Sequence, residues 1–594
     1  MLAVCLASVL VDELVRCGVT DAVLSPGSRS APLAYALAAA EEEGRLRLHV
    51  RVDERVAAFV ALGLAKATGR VVPVVTTSGT AVANLHPAVL EADAAGVPLL
   101  VLSADRPPEL RGTGANQTAD QVKLFGAAVR WWHELGTPEG GRPLETQAAA
   151  WRTAVDRAVS AALGFSGRPG PVHLNVPLRE PLAPDPAATP VPAGRPGGAP
   201  WTELRIPSAP VGSVVDSVAG SVALGEEPRT LVVLGDLTGV GGKSTLGAGL
   251  TQAYRTVFGW AAQAGYPVLA EPFGPRDVSG PGALPHGPLL AAVPDLIADL
   301  APRRIVLAGR LTLSRPVAAL LRRPDTEIVV AGGGGRWADP SHVAHRVVDL
   351  MGLVAGAGDP PEGESEWSAA WRRAGEGVHA AVAPALARDF PAGPAVAAAV
   401  LDALPQGARL FLGASAAPRD VEVARDVDGV DVWASRGLAG IDGCLSTAVG
   451  MALAAPGVPT YALVGDLTFL HDGNALMIGP GEAVPDLTVV VVNDDGGSIF
   501  GTLEYGDPAR LAYDGARGVM RRVFTTPTGT DLAARCAAHG ASHTSVASAQ
   551  ALAEVLAWPP TGVRVVEVDA RGVDRRGSEA TLNALAEAAL RGSS

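Results

Sequence analysis

The tetrapeptide Gly-Asp-Leu-Thr occurs twice in this chain, each time after a short apolar run: LVVL before Gly235 and YALV before Gly465. The first copy continues as GVGGKST and offers Gly242, Lys243 and Ser244 in the manner of a phosphate loop. A Walker loop also needs a glycine six places before its lysine, so that consecutive N–H groups can wrap a phosphate. That place is held by Leu237. The first copy therefore reads as a plain strand-to-helix junction, with a P-loop nucleotide-binding protein as the remote alternative. The second copy is followed by a helix-like stretch, the strand LTVVVV and then NDDGG at 493–497. Asp466 and Asp494 thus end two strands one crossover apart. Two carboxylates so placed supply hard oxygen ligands to a divalent cation, which in turn binds a diphosphate. The competing reading is two solvated turn carboxylates.

The elements that must place these residues follow one rhythm. Short β-branched or Leu-rich runs such as VVPVVTTSGT, PLLVLSAD, TLVVLGD, RIVLAGR and TYALVGD end in Gly-, Ser- or Asp-rich turns and lead into Ala-rich helical stretches. Strands buried on both faces and alternating with helices predict an α/β protein with doubly wound parallel sheets and ligands at the carboxyl ends of the strands. The Pro/Gly/Ala-rich stretches 183–200 and 356–366 read as linkers. They divide the 594 residues into blocks 1–182, 201–355 and 367–594, each carrying one such sheet.

Composition narrows the chemistry. A net charge of −13 argues against a nucleic-acid binder, and no run of apolar residues is long enough to span a membrane. The N-terminal MLAVCLASVL runs straight into Asp12 and Glu13 and reads as an ordinary helix, so a cytoplasmic location is expected. The four cysteines form no CxxC pair, and free thiols are the simplest reading. His342 with His345, or His539 with His543, could share a helix face, although core or solvated histidines are the simpler reading. Only three lysines are present, Lys66, Lys123 and Lys243, so anions must be met by arginine.

Asp466 with NDDGG resembles the metal-diphosphate motif of thiamin-diphosphate enzymes, with Leu467 and Asp494 standing where that motif has Gly and Asn. Upstream, RVDERVAAFVALGLAKATG followed by VVPVVTTSGT resembles their pyrimidine-binding domain. SPGSRSAPL, SADRPPELRGTGANQ, ASRGLAGIDGCLSTAVG and NDDGGSIFGTL resemble the menaquinone-pathway branch of that superfamily.

The resemblance implies pyrimidine-binding, central and diphosphate-binding domains in that order. It implies thiamin diphosphate with Mg2+, or Mn2+ in its place. Asp466, Asp494 and the carbonyl of Gly496 would hold the metal. Gly440, Gly465, Leu467 and Ser415 would line the cofactor, and Ile441 would support its bent shape. Glu54 would be the catalytic carboxylate at the pyrimidine ring nitrogen. The implied reaction decarboxylates 2-oxoglutarate and adds the remaining four carbons to isochorismate. Arg29, Arg106, Arg315, Arg419 and Arg436 would grip these dicarboxylates, since a planar guanidinium meets a carboxylate with two bonds. Ser28, Gln117 and Ser415 would add hydrogen bonds, and Ile499, Phe500 and Leu503 an apolar wall. Relatives commonly carry a second basic residue where this chain has Ser314. Because Glu54 and Asp466 must serve one cofactor across two chains, a homodimer or a dimer of dimers is implied. The rival within the superfamily is an acetohydroxyacid synthase or another 2-oxo acid decarboxylase, which acts on smaller acids and has less need of the arginines.

Overall fold

The computed structural model describes residues 2–591 apart from 166, 186–190, 204–223, 241–245, 276–282, 333–336, 351–352, 354–363, 426 and 515–517. Gly242, Lys243 and Ser244 of the first GDLT loop, and most of the stretch 356–366, lie outside the described residues.

The described residues form three sheets with flanking helices. The first runs Arg47–Val50, Asp21–Leu24, Val72–Thr76, Leu99–Asp105, Val172–Pro177 and Trp131–Glu134, all neighbours parallel. The middle sheet runs Arg346–Val348, Glu327–Ala331, Arg304–Ala308, Thr230–Leu234 and Val268–Ala270. The third runs Ser542–Val546, Val563–Asp569, Leu487–Asn493, Thr460–Gly465, Arg409–Leu412 and Asp431–Ala434. The third sheet is not purely parallel: Gly274–Pro275, from the chain segment after the middle sheet's Val268–Ala270, pairs antiparallel with Asp431–Ala434.

All three sheets share one winding. Counting the parallel strands, the first two in sequence lie side by side in each sheet, and the third returns to the other side of the first. The order therefore reverses between the first and third strands, and the loops leaving those two strands diverge to open a crevice. In the first sheet these loops carry Arg29 and Ser78; in the third they carry Ser415 and Asp466. In the middle sheet they carry Asp236 and Arg310.

The strands explain their own burial. Val72–Thr76, Leu99–Asp105, Thr230–Leu234 and Arg304–Ala308 are buried at every position, as expected of parallel strands covered on both faces. One apolar core runs through all three sheets, from Val74 and Val101 through Val232 and Val306 to Leu463 and Val490. The first and third sheets are joined by the helices Glu54–Thr68 and Cys444–Ala454, which cross at glycine. A Cβ on Gly63 would lie 2.1 Å from the Thr447 carbonyl oxygen, and one on Gly450 2.2 Å from that of Val60. No larger residue allows this crossing.

Neither histidine pair lies on one helix. His342 and His345 fall in a turn, where His345 accepts from the Ile328 N–H, while His539 follows a helix and His543 sits in a strand against Glu567. Among the described residues no helix is long and apolar enough to cross a membrane.

Candidate active site

The third sheet's crevice brings Asp466 and Asp494 within hydrogen-bond reach of each other. Gly465 ends the strand Thr460–Gly465, and Asp466 opens the helix Asp466–His471 with a side chain 2% exposed. Burial, then the charge of Asp494, pushes the Asp466 carboxyl up to about 7, while N–H groups of Leu467 and Gly496 pull the other way. Asp494 is also pushed up, first by burial, against hydrogen bonds from Ser498 and Asp466. Two carboxyls, one buried and one half-buried, set against each other make a site that a divalent cation would relieve. The Gly496 carbonyl accepts from the Ser498 N–H, which leaves it a second lone pair. An all-oxygen donor set of this kind fits Mg2+. Across the crevice Ser415 holds φ at 77°, so the backbone turns sharply into the helix Ala416–Ala424. Gly440 and Ile441 lie in the half-buried loop before Cys444–Ala454, and Ile441 packs against the common core.

Glu54 is the first residue of its helix, which Asp53 caps by accepting from the Arg55 and Val56 N–H groups. Asn84 donates to Glu54 at 3.4 Å. Arg55 donates to the His471 carbonyl and Asn474 to Asp53, so this helix end abuts the turn beyond Asp466. Neither Asp466 nor Asp494 is a partner of Glu54 among the described residues of one chain.

The expected substrate residues gather in two groups. At the first sheet's crevice, Arg106 donates to the Ser78 hydroxyl, Gln117 donates to the Ser78 carbonyl, and Arg29 donates to the Leu178 carbonyl at 3.0 Å. Ser28 lies exposed beside them. Arg106 is pushed down by burial and by the neighbouring charge of Arg29. At the third sheet, Arg419 donates to the Ser415 carbonyl and is pushed down by burial and by Arg436. Arg436 donates to the hydroxyl and carbonyl of Thr312, each at 3.1 Å. Each group thus sets two guanidinium ions side by side, with Glu180 paired to Arg29 at 3.4 Å and the carboxyls of Glu271 and Glu422 acting on Arg419.

Arg315 stands apart. It is exposed, opens the helix Arg315–Leu320 and makes no hydrogen bond or ion pair among the described residues. Ser314 caps that helix by accepting from the Val317 N–H. Phe500 lies 5.8 Å from Phe524, which stacks on Tyr505 at 4.5 Å, and Leu503 helps line a cavity of about 960 Å³ with Tyr505, Leu511, Met520, Phe524 and Arg576. Arg576, which sequence reasoning missed, holds the carbonyls of Gly501 and Leu503. Also missed were the buried carboxyls Glu271 and Glu422 beside Arg419 and Arg436. Glu271 is pushed up to about 7, first by burial. Nothing local in the sequence marks them, because their burial depends on contacts distant in the chain.

Residues 5–124 match the N-terminal TPP binding domain of thiamine pyrophosphate enzymes, and residues 427–568 match the C-terminal TPP binding domain. Across 99% of both chains this protein is 46% identical to the 2-succinyl-5-enolpyruvyl-6-hydroxy-3-cyclohexene-1-carboxylate synthase of Saccharopolyspora erythraea, and across 95% of both it is 49% identical to that of Kineococcus radiotolerans. The chain belongs to this synthase family. It is a thiamin-diphosphate-dependent enzyme. In the synthase of Nocardia farcinica the identity is 47%, over 97% of this chain and 98% of that one. The fold is also that of the benzoylformate decarboxylase of Polynucleobacter necessarius, with a TM-score of 0.64 at 18% identity over 95% of this chain and 98% of the other. With the 4-hydroxybenzoylformate decarboxylase of Rhodococcus jostii RHA1 the TM-score is 0.66 at 16% identity, over 96% and 99%.

Proposed function

We propose that this enzyme decarboxylates 2-oxoglutarate and joins the remaining four-carbon acyl group to isochorismate, releasing CO2 and forming 2-succinyl-5-enolpyruvyl-6-hydroxy-3-cyclohexene-1-carboxylate for menaquinone synthesis. The observation that carries this reading is the pairing of Arg29 with Arg106 and of Arg419 with Arg436. Two guanidinium ions that repel each other at a crevice are stabilised by a dianion, and both substrates are dicarboxylates. Glu180 beside Arg29, and Glu271 and Glu422 beside Arg419 and Arg436, offset part of this charge; the smaller acids of the decarboxylase and acetohydroxyacid synthase readings have less need of four arginines.

Bound thiamin diphosphate supplies the carbon nucleophile that lets a 2-oxo acid lose CO2 and attack a second substrate through the same carbon. Asp466, Asp494 and the Gly496 carbonyl hold Mg2+, with Mn2+ as a substitute, and N–H groups near Gly465 and Ser415 meet the diphosphate. Gly440 and Leu467 would line the cofactor, with Ile441, packed on the core, as an apolar support beside it. Glu54 holds a proton at the pyrimidine ring nitrogen. Arg29, Arg106, Arg419 and Arg436 orient the substrates with Ser28, Gln117 and Ser415, while Ile499, Phe500 and Leu503 shield the reacting carbon from water. Arg315, exposed at its helix end, would add a further guanidinium for a substrate carboxylate.

Glu54 and Asp466 serve one cofactor by coming from different subunits, so the working unit is a homodimer or a dimer of dimers in the cytoplasm. Blocks 1–182, 201–355 and 367–594 act as pyrimidine-binding, central and diphosphate-binding domains. The test is an assay of the purified protein with thiamin diphosphate, Mg2+, 2-oxoglutarate and isochorismate. One CO2 is expected per adduct formed; absence of both products would refute the proposal.

A further inference from the structure

The stretch Ser435–Gly440 carries Arg436 and leads to Ile441, yet little apolar packing holds it. Ser435 and Arg436 are buried, Gly437 has no side chain, Leu438 is 60% exposed and Ala439 has φ at 58°. Its backbone is gripped instead by two charged residues of the first block. Glu91, in the helix His86–Ala95, accepts from the Gly437 N–H at 2.9 Å with one carboxylate oxygen and from the Leu438 N–H at 2.7 Å with the other. Lys66, in the helix Glu54–Thr68, donates to the Ala434 carbonyl. Glu91 is 4% exposed and Lys66 1%. The two grips bracket Arg436, two residues beyond Lys66's acceptor and one before Glu91's first donor.

Buried charges are a poor way to gain stability, since desolvation offsets most of their attraction and apolar residues of similar size do as well. They do fix geometry, because a carboxylate taking two successive N–H groups leaves the backbone one orientation. Gly437 fits this contact closely: a Cβ there would lie 2.8 Å from a Glu91 carboxylate oxygen. The guanidinium end of Arg436 is fixed separately, by Thr312, whose own N–H and hydroxyl donate to Glu271. Arg436 is therefore set by a first-block carboxylate at its backbone and a middle-block carboxylate, through Thr312, at its tip.

We propose that Glu91, with Lys66, is a positioning residue that presents Arg436 to a substrate carboxylate by clamping the backbone on either side of it. This rests on the reading that Arg436 grips substrate. The experiment compares Glu91→Ala, Arg436→Ala and the double variant by steady-state kinetics in both substrates and by hydrogen–deuterium exchange of peptides covering 434–441. Glu91→Ala should quicken exchange in that segment by about tenfold or more and raise the KM of one dicarboxylate by about tenfold, the worth of a hydrogen bond to a charged group. Its kcat should fall much less, and exchange in Cys444–Ala454 should stay slow. Glu91→Gln, which keeps one acceptor, should lie between. The double variant should be no slower in kcat/KM than Arg436→Ala alone, because both act through one contact. Unchanged exchange in Glu91→Ala, or a double variant whose losses multiply, overturns the proposal. If Arg436→Ala itself shows wild-type kinetics, the substrate reading of Arg436 fails and the clamp's purpose fails with it. If Arg436→Ala is impaired while Glu91→Ala is normal, only the clamp fails. Should Glu91→Ala not fold, Gly437→Ala strains the same contact: a raised KM with an unchanged melting temperature supports the clamp, and a normal KM overturns it.

Discussion

The two GDLT turns sit at matching places in two sheets of the same winding, and their aspartates have opposite fates. Asp236 leaves the middle sheet's first strand and meets Arg310, which leaves the neighbouring third strand. Their backbones exchange N–H···O bonds of 2.9 and 3.0 Å, and the side chains form an ion pair at 2.6 Å. The crevice is thereby stitched shut, and Asp236 is held below the usual carboxylate range by Arg310 and Lys66 against its burial. Asp466 leaves the third sheet and meets another carboxylate, Asp494, so burial and repulsion push it up. A switch-point crevice is a ligand site only where its charge has been left unmatched; the same tetrapeptide serves packing in one sheet and is available for a cation in the other.

The largest effect that bears on this contrast comes from the residue proposed to act with the second turn from another subunit. Glu54→Gln should lower kcat by roughly a thousandfold, in the range of lost general acid–base catalysis, with cofactor binding retained by fluorescence titration. A near-normal rate would remove Glu54 from the site. Arg106→Ala, in the first sheet's crevice, should raise the KM of one dicarboxylate by about tenfold to a hundredfold while leaving cofactor affinity unchanged. Equal losses in both would move Arg106 from substrate to scaffold.

Asp472 extends the comparison to stability. It is buried, accepts from the N–H and hydroxyl of Ser446, and is pushed up to about 7 by burial. A folded-state value above the ordinary 3.8 means that the folded protein holds the proton longer. Its contribution is then present below about pH 4 and is lost as pH rises towards 7. Asp472→Asn should flatten the fall in melting temperature between pH 4 and 7; an unchanged slope would contradict this. The smallest effect is expected at the first turn's lysine: Lys243→Ala should leave kcat/KM within about twofold, whereas loss of activity in a folded protein would restore the phosphate-loop reading.

How much of this was legible in the sequence follows from what each feature depends on. The parallel sheets were legible, because Val72–Thr76 or Thr230–Leu234 carry their burial in their own composition. The two-residue antiparallel edge at Gly274–Pro275 was not, because two residues carry no period. The phosphate-loop question was answered by Leu237 alone, but the stitch between Asp236 and Arg310 depends on strand order. The arginines were found beside recognisable motifs. Their pairing, and the buried acids Glu91, Glu271 and Glu422 near them, arise only when helices and strands distant in sequence meet.

Isothermal titration of thiamin diphosphate with Mg2+ into Asp466→Asn and Asp236→Asn decides whether the second turn, and not the first, holds the metal and diphosphate. Asp466→Asn should fold normally and lose measurable binding, while Asp236→Asn should melt earlier and bind as the wild type does. Wild-type binding by Asp466→Asn, or lost binding in a folded Asp236→Asn, would mean that the second turn is not the metal and diphosphate site.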